Sequence, residues 1–349
     1  MPATENAPTP TIPSRVSAAK RFVLDLIGPI YTAQGDHLDP TTAPPPTFDG
    51  WTAADAEAFL SAEMEAFRTG LRPPGGGEVR DGVVADLSAF YELTPEECVA
   101  RALTWEEWSV EEWSTQDRST PEGLRDFYRS TASWSFDLLW YAYLQSEGYG
   151  PPMSVAVARF LADRGVRTGS HLDFGSGAGV TSQLFEERGF ATTLADVADG
   201  LLAFARSRLE RRSSGARFIN LNEAELPVDE FDVVTAFDVL AHVPDLPATL
   251  GSLRGSIRPG GWLFATFDVR AVSAESAWHL YDDDWELCAN VVEAGFLQRG
   301  RLGTIRCYQR VEPSAGTRVR ARWVYRNPAL LWLRRVARTA EFRRRNPTP

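Results

Sequence analysis

The chain has 349 residues, beyond the roughly 250–300 at which a single hydrophobic core stops growing, so two domains are expected. A hydrophobic share of 44% and a charged share of 24% are those of a globular protein, and no run of about 18 apolar residues exists to span a bilayer. The net charge of −11 is uneven: residues 318–349 hold ten Arg against Glu341, or +9, leaving −20 for residues 1–317, and an acidic body of that kind disfavours a nucleic-acid partner. Cys98, Cys288 and Cys307 are too few and too far apart for a disulfide framework or a thiolate metal site. The amino terminus carries no basic start followed by an apolar stretch, so a cytoplasmic location is expected.

Residues 1–14, rich in Pro, Thr and Ala, are expected to be disordered, and residues 15–150 to form a helical cap domain. Val16, Ala19, Phe22, Val23 and Leu26 are spaced for a short helix. Thr52 suits the cap of one helix carrying Ala56, Phe59, Leu60, Met64 and Phe67 up to the Gly75–Gly77 loop. Thr94 and Thr104, each with a glutamate three residues on, read as capping boxes, and Thr120–Pro121 opens a further helix. Trp134–Leu144 is apolar on nearly every face, which places it at the centre of the first domain.

After Pro151–Pro152 short apolar runs alternate with helical patterns, the signature of a parallel sheet with crossover helices over residues 151–312. The expected strands are 171–174, 191–195, 216–221, 231–237, 262–267, 296–302 and 304–311, with helices near 153–164, 180–188, 199–212, 246–257 and 283–294. Residues 313–349 form a basic tail, helical from Asn327, with Leu330, Leu333, Val336, Ala337 and Ala340 on one side and Arg334, Arg335 and Arg338 beside them. Docking on the acidic body of its own chain, or of a second copy in a homo-oligomer, is the expectation for that tail, ahead of binding to a membrane surface.

The chemistry concentrates at Asp173–Phe174–Gly175–Ser176–Gly177–Ala178–Gly179, where a strand ends in a glycine turn that opens a helix. Missing side chains let a ligand lie on the backbone, and the helix start offers unpaired amides. Val180 stands where the dinucleotide-binding version of this turn wants its third glycine, and Asp173 suits a cationic amino acid group better than a diphosphate. Asp196 ends the second strand, where a carboxylate can accept from both ribose hydroxyls, with Val197 beside it. Leu221 and Asn222 follow the third strand, the amide able to accept from an exocyclic amine and donate to a ring nitrogen.

With DFGSGAG at 173–179, LADVADGLLAFARSRL at 194–209, ELPVDEFDVVTAFDVLAHVPD at 225–245 and RPGGWLF at 258–264, the sequence resembles the class I S-adenosylmethionine-dependent methyltransferases over residues 150–312. The resemblance implies an α/β Rossmann-like fold with a seven-stranded sheet whose last strand is antiparallel, here under an α-helical N-terminal cap. It implies S-adenosyl-L-methionine as cofactor, with Asp173, Gly175, Ser176, Gly177 and Gly179 along its methionine part, Asp196 on the ribose, Asn222 at the adenine and Phe237 nearby. Asn222 stands where relatives often have Asp, and Ala241 where many have Glu before the histidine.

Methyl transfer from a sulfonium asks mainly for in-line approach, and a base only for a nucleophile of low acidity. His242, just past the fourth strand, is the candidate base for a small-molecule acceptor presenting oxygen, nitrogen or carbon. His279 and Tyr281 are further acceptor-side candidates, with Tyr128, Trp134, Trp140 and Tyr141 as the part of the cap that would cover an apolar or aromatic acceptor. Two rival functions share the fold: a cyclase or dehydratase that keeps the sulfonium only as a charge, and a non-catalytic binding module.

Overall fold

The structure, a computed structural model, describes residues 38–48, 51–115, 121–267, 269, 280–281, 283–312 and 315–345. The expected helix through Val16–Leu26 and the candidate His279 lie outside them.

Among the described residues, seven helices lie before residue 150: α1 (Ala53–Phe59), α2 (Ala62–Leu71), α3 (Val79–Tyr91), α4 (Pro95–Leu103), α5 (Trp105–Thr115), α6 (Pro121–Ser130) and α7 (Ser133–Ser146). The capping boxes at Thr52 and Thr94 are both formed. The single helix expected from Thr52 to Phe67 is instead two, because Ser61 starts a second: its hydroxyl accepts from the Met64 amide and donates to Ala58 O, leaving Leu60 exposed at the break. A helix starts after Thr104 as expected, and the same residue also closes α4, its hydroxyl donating to Ala100 O. At the corner between α6 and α7, the Glu112 carboxylate of α5 accepts from the amides of Ala132 and Ser133 and from the hydroxyls of Thr131 and Ser133, which terminates one helix and starts the next.

The remaining chain alternates α8 (Met153–Ala162), β1 (Gly169–Phe174), α9 (Val180–Glu187), β2 (Phe190–Asp196), α10 (Asp199–Arg211), β3 (Arg217–Asn220), β4 (Phe231–Ala236), α11 (Leu246–Ser256), β5 (Ile257–Ala265), α12 (Asp284–Glu293), β6 (Phe296–Leu302) and β7 (Ile305–Arg310). The strands lie in the order β3-β2-β1-β4-β5-β7-β6, and β7 runs antiparallel to both neighbours. The strand order reverses between the parallel neighbours β1 and β4, so the connections leaving their carboxyl ends part to opposite sides and a crevice opens there.

The expected boundary at residue 150 falls within a shared core. Phe67, Leu87, Phe136 and Trp140 of the cap pack in one cluster with Val157, Leu184, Phe185, Phe204 and Phe264. A buried ion cluster reinforces it: Asp86 of α3 takes Arg208 at 2.8 Å, Arg211 at 2.8 Å and Arg212 at 2.8 Å, all from α10 or its end.

After β7 come α13 (Ala315–Tyr325) and α14 (Pro328–Arg345). Tyr325 stacks edge-on against Trp285 of α12, and Arg334 is fully buried on Asp283 and Asp284. The tail therefore docks on its own acidic body through an arginine, while Leu333 and Val336, expected to share the apolar side, stand exposed.

Candidate functional site

The glycine turn follows β1 because its backbone leaves the region open to other residues. Gly175 has φ 70° and Gly177 φ 50°; a Cβ on Gly175 would come 2.4 Å from Val239 Cγ2, and one on Gly177 2.5 Å from Leu138 Cδ1 of the cap. The amides of Gly175 and Ser176 donate to Ala195 O at the end of β2, and that of Gly177 to Asp196 Oδ2 at 2.9 Å. Gly179 precedes α9 in a left-handed conformation.

Two buried carboxylates flank this turn. Asp173 accepts at Oδ2 from the Ser182 amide and hydroxyl, both at 3.2 Å, and at Oδ1 from the Thr235 hydroxyl at 2.9 Å. Burial pushes its carboxyl up to about 7 despite those bonds, and the nearby charge of Asp196 adds to the shift. Asp196 is likewise raised by burial, although Oδ1 accepts from the Ala198 amide and Oδ2 from that of Gly177. Because Thr235 gives its proton to Asp173, its oxygen accepts from His171 Nε2 at 2.9 Å, and burial holds that imidazole neutral, with its acidity shifted to about 3. His171 thus supports the strand ends rather than facing the crevice.

These features suit a ligand bearing both a cationic amino acid group and a ribose. The Ser176 hydroxyl is buried in the turn without a protein partner, and a buried carboxyl titrating near neutrality is one that a neighbouring cation would ionise. Each oxygen of Asp196 keeps a second lone pair for a hydroxyl donor. Val197 and Leu221 are half-buried beside it, and the Leu221 amide donates to Asp196 O. Asn222 has its Nδ2 already committed to Val197 O at 2.7 Å, to Asn220 and to Asp199, so its carbonyl oxygen is the part left to meet an adenine amine. Asp199, missed by the sequence reading, gathers this corner: Oδ1 accepts from Asn220 and Asn222 and Oδ2 from Arg129 of the cap.

On the acceptor side, Phe237 is half-buried at the end of β4 and His242 lies in a 3-10 turn, Leu240–His242. Its Nε2 is 3.8 Å from Asp238 Oδ1, a residue also missed, though its spacing four before the histidine was the available signal. Asp238 in turn raises the Tyr128 hydroxyl well above the usual phenol range, after burial as the larger cause. The charge of Asp238 thus reaches both His242 and Tyr128, and the Trp134 ring packs on Tyr128, tilted, at 5.6 Å. Tyr281 donates its hydroxyl to Val243 O at 3.1 Å, just beyond His242.

Trp140 and Tyr141 point elsewhere. The Trp140 indole is fully buried with Nε1 on Leu38 O, and the Tyr141 ring packs on Gly150. Both were expected over the acceptor because the whole helix is apolar; the side of α7 that meets the crevice carries Leu138 instead.

Residues 151–299 match the family model described as a methyltransferase domain. Among curated proteins, the chain is 37% identical over 111 residues to a ubiquinone biosynthesis O-methyltransferase of Paramagnetospirillum magneticum, covering 31% of this chain and 43% of that protein. It is 35% identical over 99 residues to the one of Azotobacter vinelandii, covering 27% and 41%. The chain thus spans about two fifths of the length of the curated relatives it matches. Among solved structures it is similar to a Haemonchus contortus phosphoethanolamine N-methyltransferase in complex with S-adenosyl-L-methionine, with 20% identity and a TM-score of 0.41 over 50% of this chain and 44% of that one. Sequence motifs, sheet order and the domain match converge: residues 151–299 form a methyltransferase domain of the class I, S-adenosylmethionine-dependent kind.

Proposed function

We propose that this protein methylates a hydroxyl group of a small-molecule acceptor, using S-adenosylmethionine held in the glycine turn and His242 as the base. The observation that carries the reading is the turn itself: an unpartnered buried hydroxyl, Ser176, between two buried carboxylates at the carboxyl edge of a parallel sheet. When bound, S-adenosylmethionine supplies a methyl group on an already activated sulfonium. The names of the curated relatives support oxygen as the atom methylated.

Asp173 and Ser176 hold the amino acid end, and Asp196 accepts from the ribose hydroxyls. A hydroxyl acceptor must lose its proton as it attacks, and His242 stands at the crevice mouth to take it at Nε2. Asp238, 3.8 Å away, stabilises the imidazolium that results. Tyr128, Trp134 and Leu138 cover the crevice and exclude water, leaving an apolar or aromatic acceptor the best fit.

Titration calorimetry with S-adenosylhomocysteine tests the cofactor half. Asp196→Ala should weaken binding by at least about tenfold, since each lost charge-assisted bond is worth about 1.5–3 kcal/mol; affinity within twofold of wild type sinks the assignment. For the base, single-turnover rates of His242→Ala are expected to fall about 10²–10⁴-fold with cofactor affinity unchanged, and to recover as pH rises. A variant as fast as wild type at every pH would return His242 to a packing role.

A further inference from the structure

Helix α14 is built inside out. Its inward side carries Arg334, fully buried, with Nε 3.1 Å from Asp283 Oδ1, a second bond to Asp284, and its guanidinium 4.7 Å above the Trp285 ring. At 100° per residue, Trp332 and Val336 fall on the opposite side and Leu333 on the flank next to them, and all three are exposed, Trp332 by 66%. Helix α13 repeats the pattern one turn apart: Tyr325 packs inward on Trp285 while Val319 and Trp323 are exposed, Trp323 by 67%. Of the nine large apolar side chains that stand exposed among the described residues, these are five.

An apolar stripe that a buried cation pins outward needs a partner, and charge selects it. The tail carries ten Arg and one Glu from residue 318 onward; with Arg334 held by Asp283 and Asp284 and Arg326 by Glu293, eight Arg against Glu341 leave a formal +7, so a tail-to-tail contact between two copies would set +7 against +7. The acidic body of a second copy would match the charge but not the stripe. Its other exposed large apolar residues, Leu60, Leu138, Val228 and Leu280, sit on separate elements. A surface that offers negative charge and an apolar layer together satisfies both. We propose that the outward face of α13 and α14 docks on an anionic lipid bilayer, with Trp323 and Trp332 at headgroup depth and the arginines on lipid phosphates. No helix among the described residues is long and apolar enough to cross a membrane, so the tail lies on the surface.

The test uses the full chain and vesicles of phosphatidylcholine alone or mixed with phosphatidylglycerol. The wild-type protein should float with the mixed vesicles and not with the neutral ones, and release at about 1 M salt, where the screening length is about 3 Å. Lipids brominated in the acyl chain should quench part of its tryptophan emission, a reading that depends on no variant folding. Trp323→Ala combined with Trp332→Ala should bind at least about tenfold more weakly and lose the quenching, with the melting transition retained. Failure to float with anionic vesicles at low salt overturns the proposal, as does equal binding by the double variant. A scattering mass of two copies for the lipid-free wild type that becomes one in the double variant would make the stripe an interface between chains instead.

Discussion

At neutral pH the carboxyl of Asp173 stands near the midpoint of its titration, and this single group links pH to both stability and ligand binding. Burial raises it from 3.8 to about 7, so the folded state prefers the protonated form. The stability it contributes is therefore full below about pH 4 and is lost as pH rises through about 7. A cationic group placed beside Asp173 reverses that preference and drives its proton off. Cofactor-product binding at about pH 6 should release close to one proton, and affinity should rise with pH up to about 7 and then level. Calorimetry in two buffers of different ionisation enthalpy measures this directly. Equal heats in both, or an affinity indifferent to pH, would place the amino acid group away from Asp173. In Asp173→Asn the pH dependence should vanish, whereas Thr235 and Ser182 keep one acceptor to bond.

Helices α3 and α10 meet through Asp86 and three arginines, and the link reaches the glycine turn. Arg208 donates to Asp86 Oδ2 at 2.8 Å, to Gln183 Oε1 at 2.7 Å and to Ala178 O at 2.5 Å, while being completely buried. One guanidinium thus ties the cap, the start of α9 and the turn together. Removing Asp86 strands a buried charge, a change that costs about 3–5 kcal/mol where measured. Asp86→Ala should lose stability on that scale in urea denaturation and should also weaken cofactor-product binding, since Ala178 loses a fixed neighbour. Stability within about 0.5 kcal/mol of wild type would mean the arginines find water when the carboxylate is gone. The cap's base is clamped by this cluster, so any opening over the crevice belongs to the α6–α7 corner that carries Tyr128 and Leu138 and hangs on Glu112.

Over the whole molecule the cap shares one hydrophobic cluster with the sheet, and a second cluster lies wholly within the sheet region. Phe136, Trp140 and Leu87 pack in the same cluster as Leu184, Phe185 and Phe204, all six being fully or almost fully buried. Heating should accordingly give one cooperative transition for cap and sheet. A fragment of residues 151–312 alone would expose the α9 and α10 faces and is expected to bind a hydrophobic dye or aggregate. Two resolved calorimetric transitions, or a soluble and cooperatively folding fragment, would show the two parts to be separate domains after all.

Periodicity and turn chemistry made the sheet region legible before any coordinates: each of the seven expected strands is present within a few residues, because parallel strands are short apolar runs separated by helices with their own caps. DFGSGAG announced a ligand turn for the same local reason, since glycine favours the φ of 70° and 50° found at Gly175 and Gly177, where a Cβ would also meet Val239 or Leu138. Local pattern could not say which side of an all-apolar helix meets the crevice, and only packing turned Leu138 toward Gly177 and Trp140 toward Leu38. Nor could it foresee that the charge of Asp238 would reach Tyr128, 110 positions away, or that Asp86 would join α10 across 122 positions. The tail shows the limit most plainly. Spacing sorted its apolar residues onto one side, and hydrophobicity alone would bury that side; the half-buried Asp283 and the buried Asp284 drew Arg334 inward instead, and the stripe was left facing out.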